Sequence, residues 1–195
     1  MKNTFSKNIF FKKIYNHKLV TIVIIYILII LFQKKYHFFY PSIPIYPDNN
    51  EDVLIVKKYI NKRTQKDIDL FKLTDESVTY EFKNIVNLDI KTLKKIAHEK
   101  NLHIKWFKRF FNRARPKQID NSLNVLKSNT AATPSYPSGH AFQAYYLAKK
   151  LSIQYQHLSK QLWNCADKCA MARVYAGLHY PSDNEFSKSL VIKYF

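Results

Sequence analysis

The sequence predicts an all-α protein, one apolar N-terminal helix ahead of a domain of short helices, on two observations. Beyond residue 51 the apolar residues recur at helical spacing, and no stretch alternates convincingly in the two-residue pattern of a half-buried strand. Only one apolar run, Leu19 to Phe32, has a length that concerns a membrane, so the remainder reads as one soluble domain large enough for its own core. Glycine is scarce: Gly139 and Gly177 stand where an average chain of 195 residues would hold roughly fourteen. Both are expected at points where the backbone tolerates no Cβ.

Leu19 to Phe32 lies between Lys18 and the pair Lys34 and Lys35. A spanning helix needs about 20 residues, and this shorter run is nearer a signal-peptide core. Cleavage requires small residues, whereas the first alanine of the chain is Ala97. The run is therefore read as an uncleaved signal anchor, with a buried core helix as the competing reading. Lys18 and Lys34 would snorkel, and Tyr36, Phe38, Phe39 and Tyr40 would extend the span into the interface. Five lysines precede the run and two follow it, which puts the N-terminus in the cytoplasm and the rest on the extracytoplasmic or lumenal side. Residues 1–40 thus form a basic anchor, 41–51, with three prolines, a linker, and 52–195 the main domain.

Within that domain helices are expected over 52–62, 66–72, 76–86, 90–100, 102–114, 139–152, 158–175 and 184–194. Asp89 caps the fourth, and Ser138, just after Pro137, opens the sixth. Residues 117–137 form the one long internal loop. Cys165 and Cys169 share a helical face and lack a CxxC or a histidine pair, so they read as core residues rather than a disulfide or zinc site.

The formal charge of +18 favours anionic partners, whether a phosphate ester, an anionic lipid surface or nucleic acid. Three segments narrow the choice. In the first, Lys108 and Arg115 are two helical turns apart and point the same way; Pro116 ends the helix at Arg115, where a cleft can form. Lys105, Arg109 and Arg113 crowd the same segment, so a solvated basic face is the bland alternative. In the second, Pro137-Ser138-Gly139-His140 opens a helix whose free N–H groups and dipole make an anion site, with a hydroxyl from Ser138 and a close backbone approach at Gly139. His140 stands beside it, placed to exchange a proton. In the third, Arg173 at the edge of an apolar stripe needs a partner, either a structural carboxylate or a substrate phosphate. Asp183, four residues after His179, can accept from its Nδ1–H across the turn made by Pro181, and then cap the last helix. Together these supply cations, a helix N-terminus, a nucleophile and an acid, the requirements of phosphoryl transfer.

Lys108-x6-Arg115-Pro116, Pro137-Ser138-Gly139-His140 and Arg173-x5-His179-x3-Asp183 resemble the three-part signature of the type 2 phosphatidic acid phosphatase superfamily, which also holds bacterial class A acid phosphatases and vanadium haloperoxidases. The resemblance implies a compact all-α bundle and a metal-independent phosphatase that needs no cofactor. It implies that His179 attacks phosphorus, that Asp183 orients it, and that His140 protonates the leaving alcohol. Lys108, Arg115, Arg173, Ser138 and the Gly139 amide would hold the phosphoryl oxygens. Two positions depart from the pattern: Ala172, where Ser is usual, and Ser187, where Gly is common. The implied substrate is a phosphate ester, lipid or soluble; no specific nucleic acid is expected. Two alternatives stay open, a vanadate-dependent haloperoxidase on the same site and a vestigial basic protein binding anionic lipid or nucleic acid. No cysteine-phosphatase loop, GxxxxGK[ST] or HExxH occurs, and Asp67-Ile-Asp69 lacks the preceding apolar strand of an aspartyl-phosphate motif.

Overall fold

The structure, a computed structural model, describes residues 17–28 and 46–195. The chain divides into two units, 1–34 and 35–195. In the first, residues 17–28 form helix α1, whose apolar side chains are exposed. Among the described residues no helix is long and apolar enough to cross a membrane. The rest of the expected anchor, residues 1–16 and 29–40, and the linker as far as residue 45 lie outside the described residues.

The second unit is helical throughout its described secondary structure: α2 (Asn49–Lys62), α3 (Gln65–Thr74), α4 (Thr79–Lys83), α5 (Ile90–His98), α6 (Asn101–Phe111), α7 (Pro116–Ile119), α8 (Gly139–Gln154), a 3₁₀ turn (Gln156–Leu158), α9 (Ser159–Tyr175) and α10 (Pro181–Tyr194). Local chemistry sets several starts. Thr64 and Asp67 form a reciprocal capping box on α3, and Asp89 accepts the Thr92 N–H to open α5. Ser138 Oγ does the same for Ala141 at the start of α8.

Helix α8 is the centre of the bundle, packed along α9 and α10 with α5 across it. Phe142, Tyr146, Leu147 and Leu151 meet Leu162, Cys165, Ala166 and Cys169 of α9 and Leu190 and Val191 of α10. Both cysteines are free and buried, as core residues. Truncating a side chain such as Leu147, fully buried here, costs about 2–5 kcal/mol in such surroundings. A second cluster, Val53, Val56 and Ile60 of α2 with Leu123 and Tyr180, and a third, Phe71 with Ala172, Ala176 and Leu178, flank the turn that carries His179.

Three expected boundaries are corrected. The 76–86 helix shrinks to α4, because the Ser77 hydroxyl takes the Thr79 N–H and competes with helical bonding. The 102–114 helix stops at Phe111, where Asn112 turns left-handed (φ 45°, ψ 44°), a conformation asparagine tolerates. Pro181 begins the last helix instead of interrupting it: it occupies the first helical position, where a missing N–H costs nothing. The long loop also holds the short helix α7, nucleated by Pro116.

Candidate active site

A cavity of about 190 Å³ opens between one face of α6, the start of α8 and the His179 turn. Lys108, Arg115, Gly139, His140 and His179 line it, together with Ile104, Thr130, Thr133 and Gln143. Lys108 and Arg115 do meet, by a route the sequence reading did not anticipate. The left-handed Asn112 ends α6, residues 113–115 run on outside any helix, and Arg115, extended before Pro116, swings back into the cavity. Ser138, Arg173 and Asp183 stand behind that wall, each fully or almost fully buried.

His179 is held from both sides. Its Nδ1 lies 2.9 Å from Asp183 Oδ2, and its Nε2 lies 3.3 Å from Arg115 Nη1. A guanidinium only donates, so Nε2 is the acceptor and Nδ1 carries the hydrogen. The lone pair of Nε2 therefore faces Arg115, and both groups line the cavity. Asp183 Oδ2 also accepts from the Tyr180 N–H at 3.0 Å and closely from Ser135 Oγ, while Oδ1 takes Arg113 Nη1 at 2.8 Å. Burial first, then the charges of Arg115, Lys108 and Arg173, push His179 well below the ordinary imidazole range. The imidazole is neutral at physiological pH.

His140 Nε2 lies 2.9 Å from the backbone oxygen of Asp75, so Nε2 bears the hydrogen and Nδ1 is the nitrogen left for chemistry. Burial, then the Arg173 charge, lowers its pKa to about 3. Arg173 has found the structural carboxylate: Nη1 pairs with Asp75 Oδ1 at 2.7 Å, and Nη2 reaches Thr130 Oγ1 at 3.1 Å. Of the two partners that the sequence left open, the carboxylate is the one in place. Its Nε is buried and finds no hydrogen-bond partner among the described residues. Burial alone would raise the Asp75 carboxyl; the Arg173 and Ser128 hydrogen bonds and the Arg173 charge outweigh it and hold it low.

The other cations are also under strain from burial. Lys108 Nζ donates to the carbonyls of Pro134 (2.7 Å) and Ser135 (3.2 Å), and burial with the Arg115 charge drives it well below its ordinary value. Arg115 donates to Thr133 O and Leu178 O, and burial lowers it to about 10. Ser138 spends its hydroxyl on the Ala141 cap rather than facing the cavity. Gly139 is corrected too: a Cβ there meets Lys108 Cε only at 3.6 Å, an ordinary contact, so the residue is not demanded by the backbone. Gly177 is, with φ +76° and neighbours at 2.9 Å. Ser187 does more than replace a small residue: its hydroxyl hydrogen lies between Asp183 O at 2.8 Å and Ser138 O at 2.9 Å, the second linking α10 to the start of α8.

Sequence reasoning missed Asp52, Asp75, Arg113 and Ser135. Arg113 stood in what looked like a solvated basic face, yet it is wholly buried. Asp75 and Asp52 carry no local signal, being distant in sequence from every motif. Residues 99–191 match the family model described as the PAP2 superfamily. No curated protein matches the chain. Proteins of that superfamily are phosphatases or related phosphoesterases. With all three motif segments inside the matched region and their side chains gathered in and behind one cavity, the chain is, through residues 99–191, a member of the type 2 phosphatidic acid phosphatase superfamily.

Proposed function

We propose that the protein is a metal-independent phosphatase that hydrolyses phosphomonoesters through a phosphohistidine on His179. One observation carries the reading: a neutral imidazole, locked by Asp183, holds its Nε2 against Arg115 in the wall of a cavity lined also by Lys108 and the first turn of α8, so that a phosphoryl oxygen taking the Arg115 hydrogen bond frees the Nε2 lone pair for attack. The cavity is smaller than the roughly 300–1,000 Å³ that encloses a whole drug-sized ligand. A phosphoryl group fits inside while the alcohol stays at the mouth, which suits a lipid or a soluble ester equally.

In the first step Nε2 of His179 bonds to phosphorus as the P–O bond to the alcohol breaks. The electron pair leaves with that oxygen, which takes the Nδ1 proton of His140. In the second, His140 Nδ1 accepts a proton from water, the oxygen attacks phosphorus, and the N–P pair returns to His179. Arg115, Lys108 and the N–H groups of Gly139 and His140 neutralise the equatorial oxygens, and Arg173 adds its field from behind. A histidine held near pKa 3 gains its proton only beside an anion, or receives it from a monoanionic ester. Turnover is then expected to fall above the second ionisation of the ester, about pH 6.

The decisive experiment is phosphate release in EDTA from an aryl phosphate and a phosphorylated lipid in parallel, with acid quench for a labile phosphoenzyme. Turnover and phosphoenzyme are both expected, and both disappear in His179→Ala. Activity lost to chelation, or a phosphoenzyme persisting in His179→Ala, would falsify the mechanism. We propose also that residues 1–40 tether the domain to a membrane with its catalytic part extracytoplasmic or lumenal, on the strength of the apolar run and its lysine asymmetry. Release of the full-length protein by alkaline carbonate would overturn that.

A further inference from the structure

We propose that Arg113 is a positioning residue for the His179–Asp183 pair and that Asp52 fixes it there, so that the start of α2 belongs to the active centre although it lies outside residues 99–191. The inference rests on the phosphatase reading above.

Arg113 is wholly buried, and all five of its N–H donors are engaged. Nε donates to Asn49 Oδ1 (2.9 Å), Nη1 to Ser182 Oγ (2.7 Å) and Asp183 Oδ1 (2.8 Å), and Nη2 to Asp52 Oδ2 (2.9 Å) and Pro47 O (3.3 Å). The Tyr180 ring lies 3.8 Å from the guanidinium carbon and the Tyr46 ring 4.6 Å. Three of the five acceptors come from residues 47–52. The guanidinium therefore has one geometry open to it, and that geometry is set by a segment remote in sequence from every motif.

What Arg113 holds is the oxygen of Asp183 that His179 does not use. With Oδ1 on Arg113 and Oδ2 on His179, the carboxylate cannot rotate about its Cβ–Cγ bond without breaking a charged hydrogen bond. Buried ion clusters contribute little net stability compared with apolar packing. The return on this one is geometry.

The test compares Asp52→Asn and Arg113→Lys with wild type in the full chain, using p-nitrophenyl phosphate and kcat per folded molecule. A structural role alone lowers the melting temperature and leaves kcat unchanged. The proposal expects kcat to fall roughly 10–100-fold in Asp52→Asn while KM holds, because a small misplacement of a nucleophile costs that much. Arg113→Lys, which keeps the charge but cannot bridge both carboxylates, is expected to lose more. An activity-free reading comes from the downfield NMR resonance of the His179 Nδ1–H, which should shift or broaden in both variants. Wild-type kcat and an unmoved resonance overturn the inference. If Arg113→Lys does not fold, Asp52→Asn, isosteric and at the outer edge of the network, decides alone. Should the wild type release no phosphate from any ester, the phosphatase reading fails, while the resonance and its response to Asp52→Asn still decide whether Arg113 and Asp52 position His179.

Discussion

Replacing Gly177 by alanine places a methyl group where two side chains already stand. Gly177 has φ +76°, and an added Cβ lies 2.9 Å from both Ile60 Cδ1 and Val125 Cγ2 and 3.5 Å from Val125 Cα. The left-handed backbone costs alanine about 1–2 kcal/mol. Ile60 can yield at its flexible end, but Val125 is stiff at χ1, and overpacking of this kind costs about 1–3 kcal/mol. The sum, about 2–5 kcal/mol, lowers the melting midpoint by about 5–15 °C for a domain of this size. Thermal unfolding by circular dichroism measures it. Gly139→Ala is the control: its Cβ meets only Lys108 Cε at 3.6 Å and Ile104 Cγ2 at 4.0 Å, and alanine is the better helix former. Its stability should stay within about 1 kcal/mol of wild type. A Gly177→Ala midpoint within about 2 °C of wild type refutes the steric reasoning.

His140→Ala should slow turnover of alkyl phosphates roughly 10²–10⁴-fold and of aryl phosphates much less, because a phenolate leaves without protonation; equal losses on both would remove His140 as the acid. Arg173→Ala should destabilise by roughly 1–3 kcal/mol, since Asp75 loses its partner but remains one-fifth exposed and can be hydrated; calorimetry showing a gain would contradict the pairing. Acid should destabilise the fold through its two buried histidines. Burial, chiefly, and nearby cations hold His179 and His140 below their unfolded value, so the unfolded chain binds more protons: stability is complete above about pH 6.5 and is lost as pH falls toward about 3 for His140. Each histidine contributes up to about 1.4 kcal/mol per pH unit in that window, and His140→Gln should flatten the midpoint-versus-pH curve there.

The parts of this architecture that local sequence encodes were readable in advance. Asp89 and Ser138 mark their helices by side-chain capping, and the motif residues from Lys108 to Asp183 gather around or behind one cavity. Boundaries failed where a backbone choice depends on one residue's tolerance, as at Asn112, or on proline's double nature, as at Pro181. Two acidic residues of the site were invisible for a different reason. Asp52 and Asp75 reach Arg113 and Arg173 across sequence separations of 61 and 98 residues. No spacing rule links residues so far apart, and a buried guanidinium announces only that some anion must exist.

The charges gathered around the cavity do not cancel. Lys108, Arg113, Arg115 and Arg173 are buried there, against the carboxylates of Asp52, Asp75 and Asp183. The interior can relieve its surplus in two ways, by letting the Lys108 ammonium surrender its proton or by admitting an anion. The two are thermodynamically linked: an anion that restores neutrality restores the proton, so binding draws protons from solvent and affinity declines as pH rises. Titration calorimetry with inorganic phosphate in two buffers of different ionisation enthalpy reads that uptake directly. The same linkage makes the released phosphate a competitor for the next substrate, so turnover in a closed vessel should slow well before the ester is exhausted.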